Sequence, residues 1–304
     1  MALSTTAPAI GQPRPVTAGM VAAFLAVACF GLGDVMTKFL VNAYPLSQFL
    51  LVRFLVFSVF AIGWAAMQGG LRQALFTRQP VLQLARVVFL IVDILLFCLA
   101  LKYLSLGDFH SIYATVPLMV TLLAGPLLGE FVGWRRRTAV AIGFLGALVI
   151  IRPGLGVMHW AAFIVIASGF CFALYTIATR KVGGEDSLAT STLYTAVGGT
   201  VILLPFGIAQ WQPVDFQGAL LMAGISLTGV AGHMLYIRAL SLAPAVVLQP
   251  LTYLLLVWAV IYGYALFGTL PDGLTVLGAL IVVTSGLYVT WREWVRGRDA
   301  AKPL

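Results

Sequence analysis

Four charged residues, Asp34, Arg53, Arg86 and Asp93, stand inside long apolar runs of this 304-residue chain. A charge in hydrocarbon costs a few kcal/mol or more, so such residues usually face a protein interior, pair with one another, or handle ions and solutes. Asp34 and Arg53 lie six and eight residues from the outer ends of consecutive runs, roughly 9–12 Å deep at 1.5 Å per residue. Matching depth predicts an ion pair, serving either as a clamp between two helices or as a substrate- or proton-coupling group. Lys38, one turn beyond Asp34, could compete for the same carboxylate. Arg86 and Asp93 are seven residues apart and so share nearly one helix face. Arg86 is close enough to its run's inner end to snorkel to the interface. Asp93, near the middle, has no such route and must be paired, hydrated or protonated, which makes it the leading candidate for coupling or substrate contact.

Uncharged groups extend the set. His110 reads as a hydrogen-bonded packing residue near an interface. His233 lies deep in a run, where it could bond across helices or exchange a proton near neutral pH. Pro117, Pro126 and Pro250 each remove a backbone donor and can free a carbonyl for water or substrate. Around them Tyr113, Thr115, Gln249, Tyr253 and Trp258 could line a cavity, although aromatic stripes more often serve packing. Cys29, Cys98 and Cys171 show no metal-ligand spacing and read as small packing residues, so neither a metal nor another cofactor is expected.

The elements that must hold these groups are membrane helices. The chain is 61% hydrophobic and 9% charged, a balance that a water-soluble fold cannot hide. Apolar runs of about twenty residues match the roughly 30 Å hydrocarbon core. They fall near 17–40, 46–67, 80–102, 108–128, 138–151, 158–180, 188–209, 217–237, 244–267 and 273–290. This is an all-α integral membrane chain of ten transmembrane helices. Residues 1–16 read as a disordered tail and 292–304 as a basic one. The net charge of +8 lies in the breaks between runs and forms no stripe suited to nucleic acid. With the N-terminus inside, thirteen Lys and Arg fall in inside segments, Arg135, Arg136 and Arg137 among them, against three outside. The positive-inside rule then makes both termini cytoplasmic, in a bacterial-type inner membrane. Trp64, Trp134, Trp160, Trp211, Trp291 and Trp294 fit the interfacial aromatic belt.

The chain also repeats itself. Ala22-Ala23-Phe24 recurs as Ala161-Ala162-Phe163, and Tyr103-Leu104-Ser105-Leu106 finds an echo in Ala239-Leu240-Ser241-Leu242, in the same order and at similar offsets. Two five-helix repeats follow, over 17–152 and 153–291. Because five is odd, the second enters the membrane inverted, an architecture that commonly sets a substrate site near the midplane between the halves.

Several residues carry a family likeness: Pro117, then Leu128-Gly129-Glu130 with Gly143 and Gly146, and in the second half Pro250, then Phe267-Gly268-Thr269 with Gly278 and Gly286. In these the chain resembles the drug/metabolite transporter superfamily and its ten-helix EamA group. Thr269 stands where members often have Glu, so no role for that glutamate carries over. Asp34-Val35-Met36-Thr37-Lys38, Val52-Arg53-Phe54 and Leu270-Pro271-Asp272 are similar to the S-adenosylmethionine uptake branch. The resemblance implies secondary transport of a small polar organic metabolite, whether amino-acid-derived, nucleotide-like, a vitamin or a metallophore. The sequence contains no G-x-x-x-x-G-K-[ST] loop for ATP. Expected partners are a small-molecule substrate, the lipid bilayer and, as a candidate, a coupling proton. The alternatives are a membrane-embedded enzyme, for which no dense catalytic cluster is visible, and a non-transporting sensor or scaffold.

Overall fold

A computed structural model describes residues 13–68, 70–129, 133–152, 160–183, 185–243 and 248–300. Its regular structure among these residues is helical: α1 (Pro13–Ala43), α2 (Leu46–Met67), the short α3 (Leu71–Ala74), α4 (Pro80–Leu101), α5 (Leu106–Tyr113), α6 (Val116–Leu128), α7 (Trp134–Ile151), α8 (Ala161–Val182), α9 (Leu188–Ala209), α10 (Phe216–Leu242), a 3-10 turn (Gln249–Tyr253), α11 (Leu254–Phe267) and α12 (Gly273–Ala300). Nine segments among the described residues are long and apolar enough to cross a membrane, with α5 and α6 together making one of them. The fifth expected span, α7, is not among the nine: it spends its first turn on Arg135, Arg136 and Arg137 and is apolar beyond Thr138. Exposed side chains such as Val59, Val81, Leu145, Val201 and Leu220 clothe the outside of the bundle, as lipid requires.

Several helix ends differ from the sequence expectation. The first helix begins at Pro13 instead of residue 17, and the last runs through the basic stretch to Ala300. The expected disordered tail otherwise lies outside the described residues. The fourth span, read as one run over 108–128, is two helices. The break falls at Ala114 and Thr115, directly before Pro117, which sits in the first turn of α6 where its missing N–H costs nothing. The ninth span is interrupted in the same way, with Pro250 in the 3-10 turn that leads into α11. Both broken spans end on a glycine in the left-handed region, Gly129 at φ 72° and Gly268 at φ 64°. The Leu-Gly and Phe-Gly pairs of the two repeats are therefore equivalent helix caps, at a conformation that other residues adopt only with strain.

The halves pair by exchange. Helix α1 packs mainly on α10 and α4 on α8, so the first and third helices of each half trade partners, while α2 packs on α9 and α7 on α12. This is the pairing that a two-fold axis in the membrane plane produces. Polar contacts fasten it at both faces. On one, the Tyr44 hydroxyl donates to Asp215 at 2.7 Å, and Gln48 and Gln212 exchange side chain-to-backbone hydrogen bonds of 2.9 and 3.1 Å. On the other, Asp186 accepts from the Thr77 hydroxyl, from Gln83 at 2.9 Å and from the Arg78 N–H at 3.1 Å. Burial works against ionisation of Asp186, but these hydrogen bonds outweigh it and hold its carboxyl below the usual range. That contact therefore persists at neutral pH and weakens only as pH falls through the lowered value.

At the α7–α12 crossing the backbones touch. A β-carbon on Gly146 would sit 2.9 Å from the Gly278 carbonyl oxygen, and one on Gly278 would sit 2.6 Å from that of Gly146. Close approach of small residues is how helices bind in lipid, where the hydrophobic effect gives no drive between them. Gly146→Leu should destabilise the fold by about 1–3 kcal/mol or more, read as a lower unfolding midpoint in detergent. Gly63→Ala, with nothing within 4 Å of the new carbon, should leave the midpoint unchanged, and equal effects at the two sites would count against this crossing.

Candidate functional site

Each long helix turns one face to lipid, so half-burial on the opposite face reports an internal crevice. On α2 the exposed Leu55, Val59 and Ile62 mark the lipid side, and at 100° per residue Arg53, Phe57, Phe60 and Trp64 lie nearly opposite, all half-buried. On α10 Leu220 and Leu227 face out, while Gly229, His233 and Tyr236 face in. On α1 the inward, half-buried groups are Phe30 and Asp34. These faces meet: the Arg53 guanidinium lies along Gly229, with Nε 3.5 Å from where a β-carbon would stand. One turn further, the rings of Phe57 and His233 meet edge-on at 5.5 Å.

The expected Asp34–Arg53 ion pair is not formed. Asp34 Oδ2 is 3.1 Å from His110 Nε2 instead. Equal depth on consecutive helices does not make neighbours here, because α1 packs mainly on α10 and α2 on α9. His110, in the last turn of α5, meets Asp34 of α1 in place of Arg53. His110 is thus a partner of a carboxylate, a more specific role than packing. Lys38 does not compete for Asp34 either. Its ammonium donates to the carbonyls of Leu101, a contact shorter than usual, and of Leu104 at 2.8 Å, closing the C-terminus of α4 as a cation there should.

Asp93 is buried, at 4% exposure, and has neutral partners. Its Oδ1 accepts from Ser168 at 2.6 Å and from Tyr113 at 3.2 Å, which ties α4 to α8 and α5. The hydroxyl of Ser168 went unnoticed in the sequence because a lone serine in an apolar run gives no periodic signal.

Arg86 does not reach an interface. It is 2% exposed and bonds Gln83 at 2.6 Å, the Ser191 carbonyl at 3.1 Å and Thr195 at 2.5 Å, with Tyr175 5.4 Å from its guanidinium carbon. The Thr195 hydroxyl and the Ser191 carbonyl of α9 offer a shorter path to satisfaction than the membrane surface. Only its Nε lacks a partner. The buried Nε2 of His233 also has no hydrogen bond.

The remaining candidates are dispersed. Trp258 stacks on Tyr262 at 5.5 Å and against Phe24 at 5.9 Å in the α1–α11 seam, with its Nε1 buried and unbonded. The Tyr253 hydroxyl, likewise unbonded, points at Gly286 of α12. Thr115 spends its hydroxyl on the Ile112 carbonyl at 2.8 Å, and Pro126 lies inside α6. The side chain of Gln249 falls outside the described residues. Among those residues no group of three or more His, Cys, Asp or Glu could hold a metal ion.

Paired inverted halves with apolar outer surfaces and a polar, aromatic crevice between them define a multi-pass membrane transporter fold. The sequence pattern of the EamA-like transporter family matches residues 17–152 and 159–291, and the chain belongs to that family. It is 30% identical over 231 residues to a riboflavin transporter of Vibrio cholerae, covering 75% of this chain and 78% of the relative. It is 25% identical over 270 residues to an S-adenosylmethionine uptake transporter of Rickettsia prowazekii, covering 88% and 91%. A solved structure titled only as the crystal structure of a protein superposes with a TM-score of 0.61 at 15% identity, over 94% of this chain and 99% of that one, a likeness of fold.

The revised pairing makes a measurable difference. In double-mutant cycles of thermal stability, Asp34→Asn and His110→Ala should couple by about 0.5–3 kcal/mol, while Asp34→Asn and Arg53→Gln should be nearly additive. The reverse pattern would restore the ion pair that depth alone suggests.

Proposed function

We propose that the chain is a secondary carrier that moves a small polar organic metabolite across a bacterial inner membrane without ATP hydrolysis. Its path is the crevice between the halves, with Asp93 and the Asp34–His110 pair as the candidate proton-handling groups. The observation that carries this reading is the half-exposed lining of ionisable and aromatic side chains on helix faces turned away from lipid. An enzyme would need a reacting constellation, and a scaffold would have no reason to keep such groups deep in the bilayer. Riboflavin and S-adenosylmethionine, named in the relatives, are the first compounds to try. A wider panel of amino-acid-derived, nucleotide-like, vitamin and metallophore compounds follows.

In this reading residues 17–152 and 153–291 form the two five-helix repeats. Both termini and the Arg135–Arg137 segment face the cytoplasm, following the excess of basic residues on that side. A periplasm-only reporter fused after Arg298 should be silent, and an active one would invert the orientation.

The carrier reading is tested by solute counterflow in proteoliposomes holding equal amounts of wild type and Asp93→Asn. Asparagine keeps a carbonyl oxygen to accept from Ser168 and Tyr113, so membrane insertion and protein level should stay near normal. What it removes is the charge and its proton. Initial flux should fall on the order of tenfold, or its pH profile should flatten between mildly acidic and neutral conditions. Unchanged rate and profile would reduce Asp93 to a structural residue, and absence of flux for every compound in wild type would remove the carrier reading.

A further inference from the structure

The four charges inside the spans are not equally provided for. Asp93 has two hydroxyl donors, Asp34 has His110, and Arg86 has two side-chain acceptors and a carbonyl. Arg53 has neither a hydrogen bond nor an ion-pair partner among the described residues, although its guanidinium lies against α10 at Gly229. It is half-buried on the inward face of α2, so its exposure is to the crevice and not to lipid. Seven residues in from the end of α2, it sits roughly 10 Å deep. Five N–H donors in a fixed plane are thus left free in a region where few water molecules compete and where charge interactions are strengthened.

A planar donor fork of this kind matches two oxygens of one anion, bound through parallel, charge-assisted hydrogen bonds. The surroundings favour an organic anion. Phe57 and Phe60 follow Arg53 on the same face, Phe60 is stacked on Trp64 at 6.3 Å, and Phe57 meets His233. These rings offer flat apolar surface one and two turns from the guanidinium. The nearby carboxylates already have donors, so an incoming anion need not displace an internal salt bridge. We propose that Arg53 is the anion-recognition point of the crevice, and that the cargo is a small organic solute held by its carboxylate or phosphate oxygens with its apolar body against Phe57 and Phe60, a description that S-adenosylmethionine meets through its carboxylate and that riboflavin, which has neither group, does not. This rests on the crevice being the transport path proposed above.

The test is site-resolved arginine modification in lipid nanodiscs. Phenylglyoxal adducts at Arg53 are quantified by mass spectrometry, with the exposed Arg72 and the buried Arg86 as internal references. Arg53 should react and Arg86 should not. At equal ionic strength, acetate, benzoate or inorganic phosphate should slow labelling of Arg53 several-fold relative to chloride while leaving Arg72 unchanged. Benzamide, the neutral match of benzoate, should give no protection. Benzoate acting better than acetate would assign the rings their part, and the acetate and phosphate arms separate carboxylate from phosphate recognition. The proposal is overturned if Arg53 fails to react, if no anion protects it, or if Arg72 is protected equally. Protection without counterflow would keep the anion site and discard the carrier reading, whereas counterflow without protection would discard the anion site alone.

Discussion

A charge deep in a bilayer has no bulk water to turn to, so the protein must answer for it with donors, acceptors or a wet interior. That demand organises this molecule. The first half does not meet it alone: its Asp93 draws on Ser168 of the second half, and its Arg86 on Ser191 and Thr195. The hydrogen bonds that make these charges tolerable are among those that hold the halves together. Stability and the placement of ionisable groups along the crevice therefore have a common physical origin.

The exchange of partners between halves follows from inversion. With the second five helices upside down, the first helix of one half meets the third of the other, and the broken fourth spans come to equivalent positions. Each break is made with a proline at a helix start and closed with a left-handed glycine at the helix end. Irregular backbone at such depth is tolerable where protein or a cavity surrounds it, and not against lipid. Polar fastenings at the two faces, around Asp215 on one and Asp186 on the other, bridge the halves with apolar packing between them.

The membrane class, the inverted repeat and the approximate spans were legible in the sequence because each is written over twenty residues or more, in run length and internal similarity. The contacts of single charges were not. Asp34 and Arg53 share a depth, yet depth leaves rotation about the helix axis and the choice of neighbour undetermined, and α1 chose α10. Arg86 lay near enough to a surface to suggest snorkelling, but Gln83 beside it and Thr195 on a helix more than a hundred residues away satisfy it inside. Such pairings depend on long-range packing that one sequence does not display. The break at Ala114–Thr115 was half visible, since Pro117 signalled a disturbance without locating it.

Arg53 and Arg86 put the same side chain to opposite uses. Arg86 is buried against acceptors that belong to α4 and α9, so moving it would strand both the guanidinium and the groups that hold it. It behaves as a fixture. Arg53 packs its stem into the same bundle but turns unspent donors toward the crevice, where solvent or solute must complete them. A guanidinium without protein partners at that depth costs free energy, and an anion bound to it would recover part of that cost along with its own hydrogen bonds. Recognition in such a site begins with what the protein leaves unsatisfied, and the aromatic surface of α2 determines which anions can profit from it.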